Sequence, residues 1–195
     1  MHRSPEDIQD EWLVLRCQGG EPEAISALVA RWQPRFQRLA ARLTSDRDAA
    51  NDLAQDAWLA IVRGLSRLED PARFRVWAYR IVTHKCADWI RRRAVRRDAA
   101  RELRNAASAQ ETSGQPPAWD DMDEIARLRA ALRQLPDDER TLLSLHYIDG
   151  LSVRELADVF KLPAGTVKSR LHHARGQLRK AVQESDHERA GQENL

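Results

Sequence analysis

A chain of 195 residues can form one medium domain or two small ones, each with a modest core. Charged residues make up 32% of it, yet the net charge is only +2, so the sum does not mark a nucleic-acid binder; a basic stripe can still coexist with acidic faces elsewhere. The opening MHRSPEDIQDEW has no apolar run of signal-peptide length, and no later stretch approaches a membrane span.

Alternating apolar and polar runs are absent, while Ala, Leu, Arg and Glu at helical spacing recur, which predicts an all-α fold. Ile8, Trp12 and Leu15 line one face of a first short helix. Pro22 suits the first turn of a second, continued by Ile25, Leu28, Val29, Trp32, Phe36, Leu39 and Leu43. Pro34 falls inside that run, where a kink or break is expected. Asp46 can cap a third helix with an apolar face of Leu53, Ala57, Trp58, Ile61, Val62 and Leu65. Asp70-Pro71 marks a break. A fourth helix then carries Phe74, Trp77, Ala78, Ile81, Val82, Cys86 and Trp89, and the first helical domain spans residues 1–97.

From about Asn105 to Trp119 the composition shifts to Ala, Ser, Gln, Gly and a Pro-Pro pair, and residues 98–120 read as a flexible linker, helical where it begins. Ile125, Leu128, Leu132 and Leu135 resume the helical pattern in a second domain, residues 121–183, which Pro136 and Gly150 divide into further helices. Residues 184–195 form a polar tail. Cys17 and Cys86 lack CxxC or Cys/His ligand spacing, so both are expected as small buried apolar residues in a reducing, cytoplasmic protein. Nothing in the chain suggests a metal, another cofactor or a catalytic constellation.

The sharpest local pattern is LSVRELADVFKLPAGTVKSRLHHARGQLRK, residues 151–180. Ser152 and Glu155 have capping-box spacing. Leu156, Ala157 and Phe160 face inward on a short helix, Lys161-Leu162 turns the chain, and Pro163 starts the next helix. On that helix Val167, Leu171, Ala174 and Leu178 face the core. Thr166, Lys168, Ser169, Arg170, His172, His173 and Arg175 face outward. Such a helix-turn-helix suits the major groove: helix N-termini and cations hold phosphates, and the first turns of the second helix reach base edges. A second signal is the run FRVWAYRIVTHKCADWIRRRAVRRDAAREL, where aromatic rings precede many arginines. Single-stranded nucleic acid needs that mixture, with cations for the backbone and flat rings for bases. Trp77 and Trp89 fit core packing as well as stacking, whereas Phe74, beside the Asp70-Pro71 break, is expected at a domain edge.

In these segments the chain resembles the extracytoplasmic-function group of bacterial RNA polymerase sigma factors. DAANDLAQDAWLAIVRGL looks like the family's helix that docks on the clamp helices of the polymerase's largest subunit. FRVWAYRIVTHKCADWIRRRAVRR looks like the segment that reads and opens the minus-ten element. The stretches LRQLPDDERTLLSLHYIDGLSVRELADVF and GTVKSRLHHARGQL look like the minus-thirty-five reader. The resemblance implies that Asp52, Gln55 and Asp56 contact core polymerase. It implies that Phe74, Trp77, His84, Arg92, Arg93, Arg96 and Arg97 contact the minus-ten strand. Ser152, Thr166, Lys168, Ser169, Arg170, His172 and His173 are then the minus-thirty-five contacts. Bacterial core RNA polymerase, promoter DNA and an anti-sigma factor are the implied partners.

Two departures bear on specificity. His84 stands where the family often has asparagine, near the pocket for an unstacked base, and burial as a core histidine is an alternative. His172 and His173 stand where an arginine or an aromatic is common. They alter promoter preference or weaken phosphate contact as pH rises, and two adjacent imidazoles point apart, which disfavours zinc. Two other readings remain open at this stage: a polymerase-independent regulator binding duplex DNA through the helix-turn-helix, and a protein-interaction module whose basic run holds an acidic partner.

Overall fold

The computed structural model describes residues 4–105 and 124–192, and every regular element among them is helical. The expected linker falls mostly on residues outside the described ones.

Helix α1, Pro5–Gln18, begins in a capping box: the Asp7 N–H donates to Ser4 Oγ at 3.1 Å, and the Ser4 N–H donates to the Asp7 carboxylate at 3.0 Å. Its anticipated apolar face is turned outward, with Ile8, Trp12 and Leu15 all more than half exposed. Asp10, Leu13, Val14 and Cys17 are buried instead. The helix has two apolar stripes, and Asp10 decides between them. Its Oδ1 accepts from the Trp32 indole N–H at 3.0 Å and from Arg31, pairings available only if that face packs on the next helix. A buried carboxylate without such partners would cost several kcal/mol.

Helix α2, Pro22–Thr44, passes through Pro34 without a break. An interior proline costs a helix about 3 kcal/mol. Leu28, Trp32, Phe36, Leu39 and Leu43 are all at most 2% exposed, and burying five such side chains at about 1.5–3 kcal/mol each outweighs that cost. Ser45, in the left-handed region at φ 56°, ends the helix. Asp46 caps α3, Arg47–Leu65, accepting from the Ala49 N–H at 3.1 Å as anticipated. The buried stripe of α3 is Leu53, Ala54, Ala57, Trp58, Ile61 and Leu65; Val62, expected within it, is 44% exposed. A 3-10 turn at Pro71–Arg73, capped by Asp70, leads into α4, Phe74–Asn105, which runs past the expected end at Arg97. Rings form the centre of this bundle: Trp32 lies 5.5 Å from Phe36, 5.4 Å from Phe74 and 5.7 Å from Tyr79, the latter two edge-on, the arrangement aromatic quadrupoles favour.

The second bundle holds α5, Glu124–Gln134, α6, Asp137–Leu143, α7, Val153–Phe160, and α8, Ala164–Gln192. A π-helical turn, Ser144–Ile148, follows α6. Gly150, at φ 70°, then reverses the chain before α7, a conformation a residue with a Cβ rarely adopts. The two bundles are packed together, α4 against α7 and α2 against α6. Arg140, 8% exposed, donates across that junction to the Leu43 carbonyl at 2.8 Å, satisfying one of the open carbonyls at the end of α2.

Candidate nucleic-acid and polymerase interfaces

Three exposed surfaces gather the sequence-derived residues. On α3, Asp52, Gln55 and Asp56 lie opposite the buried stripe and are exposed. Leu59, 56% exposed, and Val62 continue the same face one and two turns on. Composition could not single these two out, because an exposed leucine and a core leucine look alike in sequence. The face therefore pairs carboxylates and an amide with apolar anchors, the chemistry of a protein-docking surface rather than of DNA contact.

The second surface is an open cleft of about 510 Å³ where the α3–α4 connection meets the start of α4. Trp77 forms one wall, flanked by Arg67, Arg73 and Arg80. The ring is half-buried: part packs on the core and part faces the cleft, so both roles open to Trp77 in the sequence coexist. Gly64 makes this possible, since a Cβ there would stand 2.8 Å from Trp77 Cζ2, inside contact distance. Phe74 is not at a domain edge. It is 1% exposed and packed between Trp32 and Trp77, leaving no ring face for a base. Its position next to a helix break suggested an edge, but the short Pro71–Arg73 turn folds the ring inward. His84 is exposed, so the core alternative for it falls. Arg92, Arg96 and Arg97 are exposed farther along α4. Arg93 is more committed, its guanidinium 4.8 Å from the Trp89 ring centre and 3.3 Å from Asp46 Oδ2. Arg67, Arg73 and Arg80 were not singled out in sequence: Arg80 lies within the aromatic-arginine run, but the loop SRLEDPAR balances Arg67 and Arg73 with Glu69 and Asp70 and carries no net basic signal.

The third surface is the outer side of α8. The capping box of α7 forms as spaced, with the Ser152 N–H donating to Glu155 at 2.7 Å, so Ser152 is exposed but its oxygen already accepts the Glu155 N–H. Lys161, at φ 53°, makes the left-handed turn between the helices. Val167, Leu171 and Ala174 are at most 5% exposed, whereas Lys168, Ser169, Arg170, His172 and His173 all face solvent. Thr166 is half-buried, and its carbonyl accepts from Ser169 Oγ at 2.9 Å. His173 Nδ1 lies 2.8 Å from Glu139 Oε1, and Arg175 donates to the Tyr147 hydroxyl at 3.3 Å, so the middle of α8 is braced on α6 and the π-helical turn. The first two turns remain open for a ligand.

Buried titratable groups lie away from these surfaces. Burial pushes the Cys86 thiol up to about 12 and raises Cys17, so both stay protonated at neutral pH. Burial also raises the Asp149 carboxyl above its usual range, with Arg42 opposing. No helix among the described residues is long and apolar enough to cross a membrane.

Comparison with known proteins bears on all three surfaces. Residues 28–96 match the Sigma-70 region 2 family, and residues 125–178 match Sigma-70, region 4. The RNA polymerase sigma-H factor of Pseudomonas aeruginosa is 33% identical over 184 residues, spanning 90% of this chain and 94% of that protein. The ECF RNA polymerase sigma-E factor of Escherichia coli K12 is 30% identical over 186 residues, spanning 91% and 96%. Among solved structures, CnrH in complex with the cytosolic domain of CnrY matches at a TM-score of 0.66 and 26% identity, covering 90% of this chain and 98% of that one. RpoE from Bartonella quintana, solved with the anti-sigma factor NepR, shares the fold at a TM-score of 0.61 and 23% identity, covering 81% and 96%. With region 2 and region 4 in order along one all-helical chain, and near full-length relatives, the protein belongs to the extracytoplasmic-function group of RNA polymerase sigma factors.

Proposed function

We propose a division of labour among the three surfaces of this sigma factor. The α3 face carrying Asp52, Gln55, Asp56, Leu59 and Val62 docks on core polymerase. The Trp77 cleft and the arginines along α4 capture the unpaired minus-ten strand. The front of α8, with Lys168, Ser169 and Arg170, reads minus-thirty-five duplex. Residues 1–97 and 121–183 are the working domains in this reading, and residues 98–120 tether them. Opening base pairs costs about 1.4 kcal/mol per stacking step, and stacking on Trp77 with phosphate pairing by arginines offsets part of it.

The observation that carries the reading is the two-sidedness of α8. Its apolar residues are sealed against α6 and α7, while cations and hydroxyls crowd the outer side of its first two turns, immediately after the left-handed turn at Lys161. That is the geometry by which a recognition helix enters the major groove. In this reading phosphodiester formation belongs to the polymerase, the chain performs no bond chemistry of its own, and it works beside the polymerase in the bacterial cytoplasm. An anti-sigma factor is its third partner, as NepR is for the Bartonella RpoE.

The test is run-off transcription with sigma-free bacterial core polymerase on genomic fragments. Start sites that appear only with the chain, sharing two upstream elements, support the assignment. Failure to bind core polymerase, with retained binding to duplex alone, sinks the docking and strand-capture roles.

A further inference from the structure

One imidazole on the outer side of α8 is held in a fixed direction. His173 stands four residues after Ser169 and three after Arg170, so it continues their face one turn on, about 6 Å farther along the axis. Its side chain is 65% exposed, yet its Nδ1 lies 2.8 Å from Glu139 Oε1. Glu139 belongs to α6, which packs against α8, and its side chain is only 18% exposed. Among the described residues no other donor reaches that carboxylate, and its Oε2 is buried without a hydrogen-bond partner. Swinging the imidazole away would leave a partly buried negative charge with no partner, so the ring is kept on Glu139. The neighbouring His172 is exposed and makes no hydrogen bond among the described residues, so nothing fixes its ring.

The pairing also decides which nitrogen carries the proton. A carboxylate accepts and does not donate, so Nδ1 holds the hydrogen; in the neutral ring Nε2, on the edge turned from Glu139, then presents a bare lone pair. In the major groove an acceptor meets two amino groups, adenine N6 and cytosine N4. Adenine sets its N7 lone pair beside N6, which repels a second lone pair. Cytosine offers its amino group with no acceptor beside it on the same base.

We propose that Glu139 is a positioning residue for duplex recognition: by taking the Nδ1–H of His173 it turns Nε2 outward as an acceptor, which reads the N4 amino group of one cytosine in the minus-thirty-five element. The inference rests on reading the front of α8 as the duplex-reading surface and extends that surface by one turn. It also separates the two histidines, since the unheld ring of His172 sets no fixed pattern of donor and acceptor. An arginine in place of His173 is a donor only and would call for guanine, so Glu139 and His173 together give a base preference of the opposite sense.

The test takes a promoter found by run-off transcription, randomises its minus-thirty-five element, and sequences the duplexes selected by holoenzyme assembled from the full chain and core polymerase. The parent should retain cytosine at one position about tenfold over the other bases. His173→Ala and Glu139→Gln should both lose that preference and keep those at other positions, because a carboxamide donates as readily as it accepts and no longer fixes the ring. His173→Arg should exchange cytosine for guanine at the same position. A second measurement needs no variant. In the selected duplex, replacing that cytosine by its analogue lacking the 4-amino group should weaken parent binding about tenfold, and 7-deazaguanine opposite it should not. Preferences that are unchanged in His173→Ala or Glu139→Gln, or weakened evenly at all positions, leave the pair as a brace alone and overturn the proposal. A loss caused by 7-deazaguanine overturns it as well, since the imidazole would then be the donor. A parent that selects no sequence there, with Lys168→Ala binding as well as the parent, sinks the duplex-reading role of α8 on which the proposal stands.

Discussion

Replacing Phe74 by alanine separates a core ring from a DNA-contacting one. The side chain is 1% exposed, with ring centres of Trp32 and Trp77 at 5.4 and 6.2 Å. Removing it forfeits the transfer free energy of the ring and opens a cavity that neighbouring indoles, too rigid to collapse, leave unfilled. Such Phe→Ala changes cost about 3–5 kcal/mol, of which the edge-on contact with Trp32 supplies about 0.5–1.5. For a protein of this size each kcal/mol moves the melting temperature by about 2–4 °C, so a drop of roughly 6–20 °C is expected in thermal unfolding followed by far-ultraviolet circular dichroism. Phe74→Leu keeps most of the volume but not the flat ring, and should melt closer to the parent while binding single strands as well as it does. Trp77→Ala, facing the cleft, should lose about 1–3 kcal/mol of strand affinity. A Phe74→Leu protein that melts like the parent yet loses strand binding would refute the core assignment, as would a Phe74→Ala protein destabilised by less than about 1 kcal/mol.

Leu59→Arg, at a position 56% exposed, should change stability by no more than about 0.5 kcal/mol and weaken binding to core polymerase about tenfold or more, read by competition against the parent chain. Lys168→Ala should weaken duplex binding on all sequences alike and lower the slope of log affinity against log salt by about 1, measured by anisotropy across a salt series. Gly64→Ala brings a methyl group to 2.8 Å from the Trp77 ring, which must swing into the cleft; a loss of about 1–3 kcal/mol in stability and weaker strand capture should follow. Because burial raises the Asp149 carboxyl, the folded chain binds its proton more tightly than the unfolded chain does, a contribution to stability that is present at acid pH and lost as pH rises through the raised value. Thermal unfolding followed from the ordinary carboxylate range up to pH 7 should show that dependence, and Asp149→Asn should abolish it.

Much of this protein was readable along the chain because helical caps and stripes are local. Asp46 and the Ser152–Glu155 box start the helices they were expected to start, and Val167, Leu171 and Ala174 bury the side of α8 that their spacing requires. These are contacts within three or four residues, so sequence spacing alone specifies them. Polarity likewise placed Asp52, Gln55, Asp56 and Lys168 outside.

What failed depended on which partner a helix meets. α1 offered two faces, and the one bearing Trp12 lost to the one bearing Asp10 because a hydrogen-bonding indole on α2 awaited the carboxylate. Pro34 did not break α2, since burial on both sides of it outweighs one missing hydrogen bond. Phe74 went inward and Leu59 outward, though both are large and apolar, because exposure is decided by the neighbouring helices and not by the residue. The arginine cluster around Trp77 and the carboxylates that cover it come from segments about 75 to 85 residues apart, as the separations of Arg75 from Asp149 and of Arg73 from Asp158 record. The sequence by itself determined the helices, most of their caps, the family and the exposed, cation-bearing face of α8, all carried by short-range patterns. Only the tertiary structure decided the core rings, the exposure of Leu59 and Val62 and the packing of one bundle upon the other, because long-range charge pairs and packing leave no periodic trace in the chain.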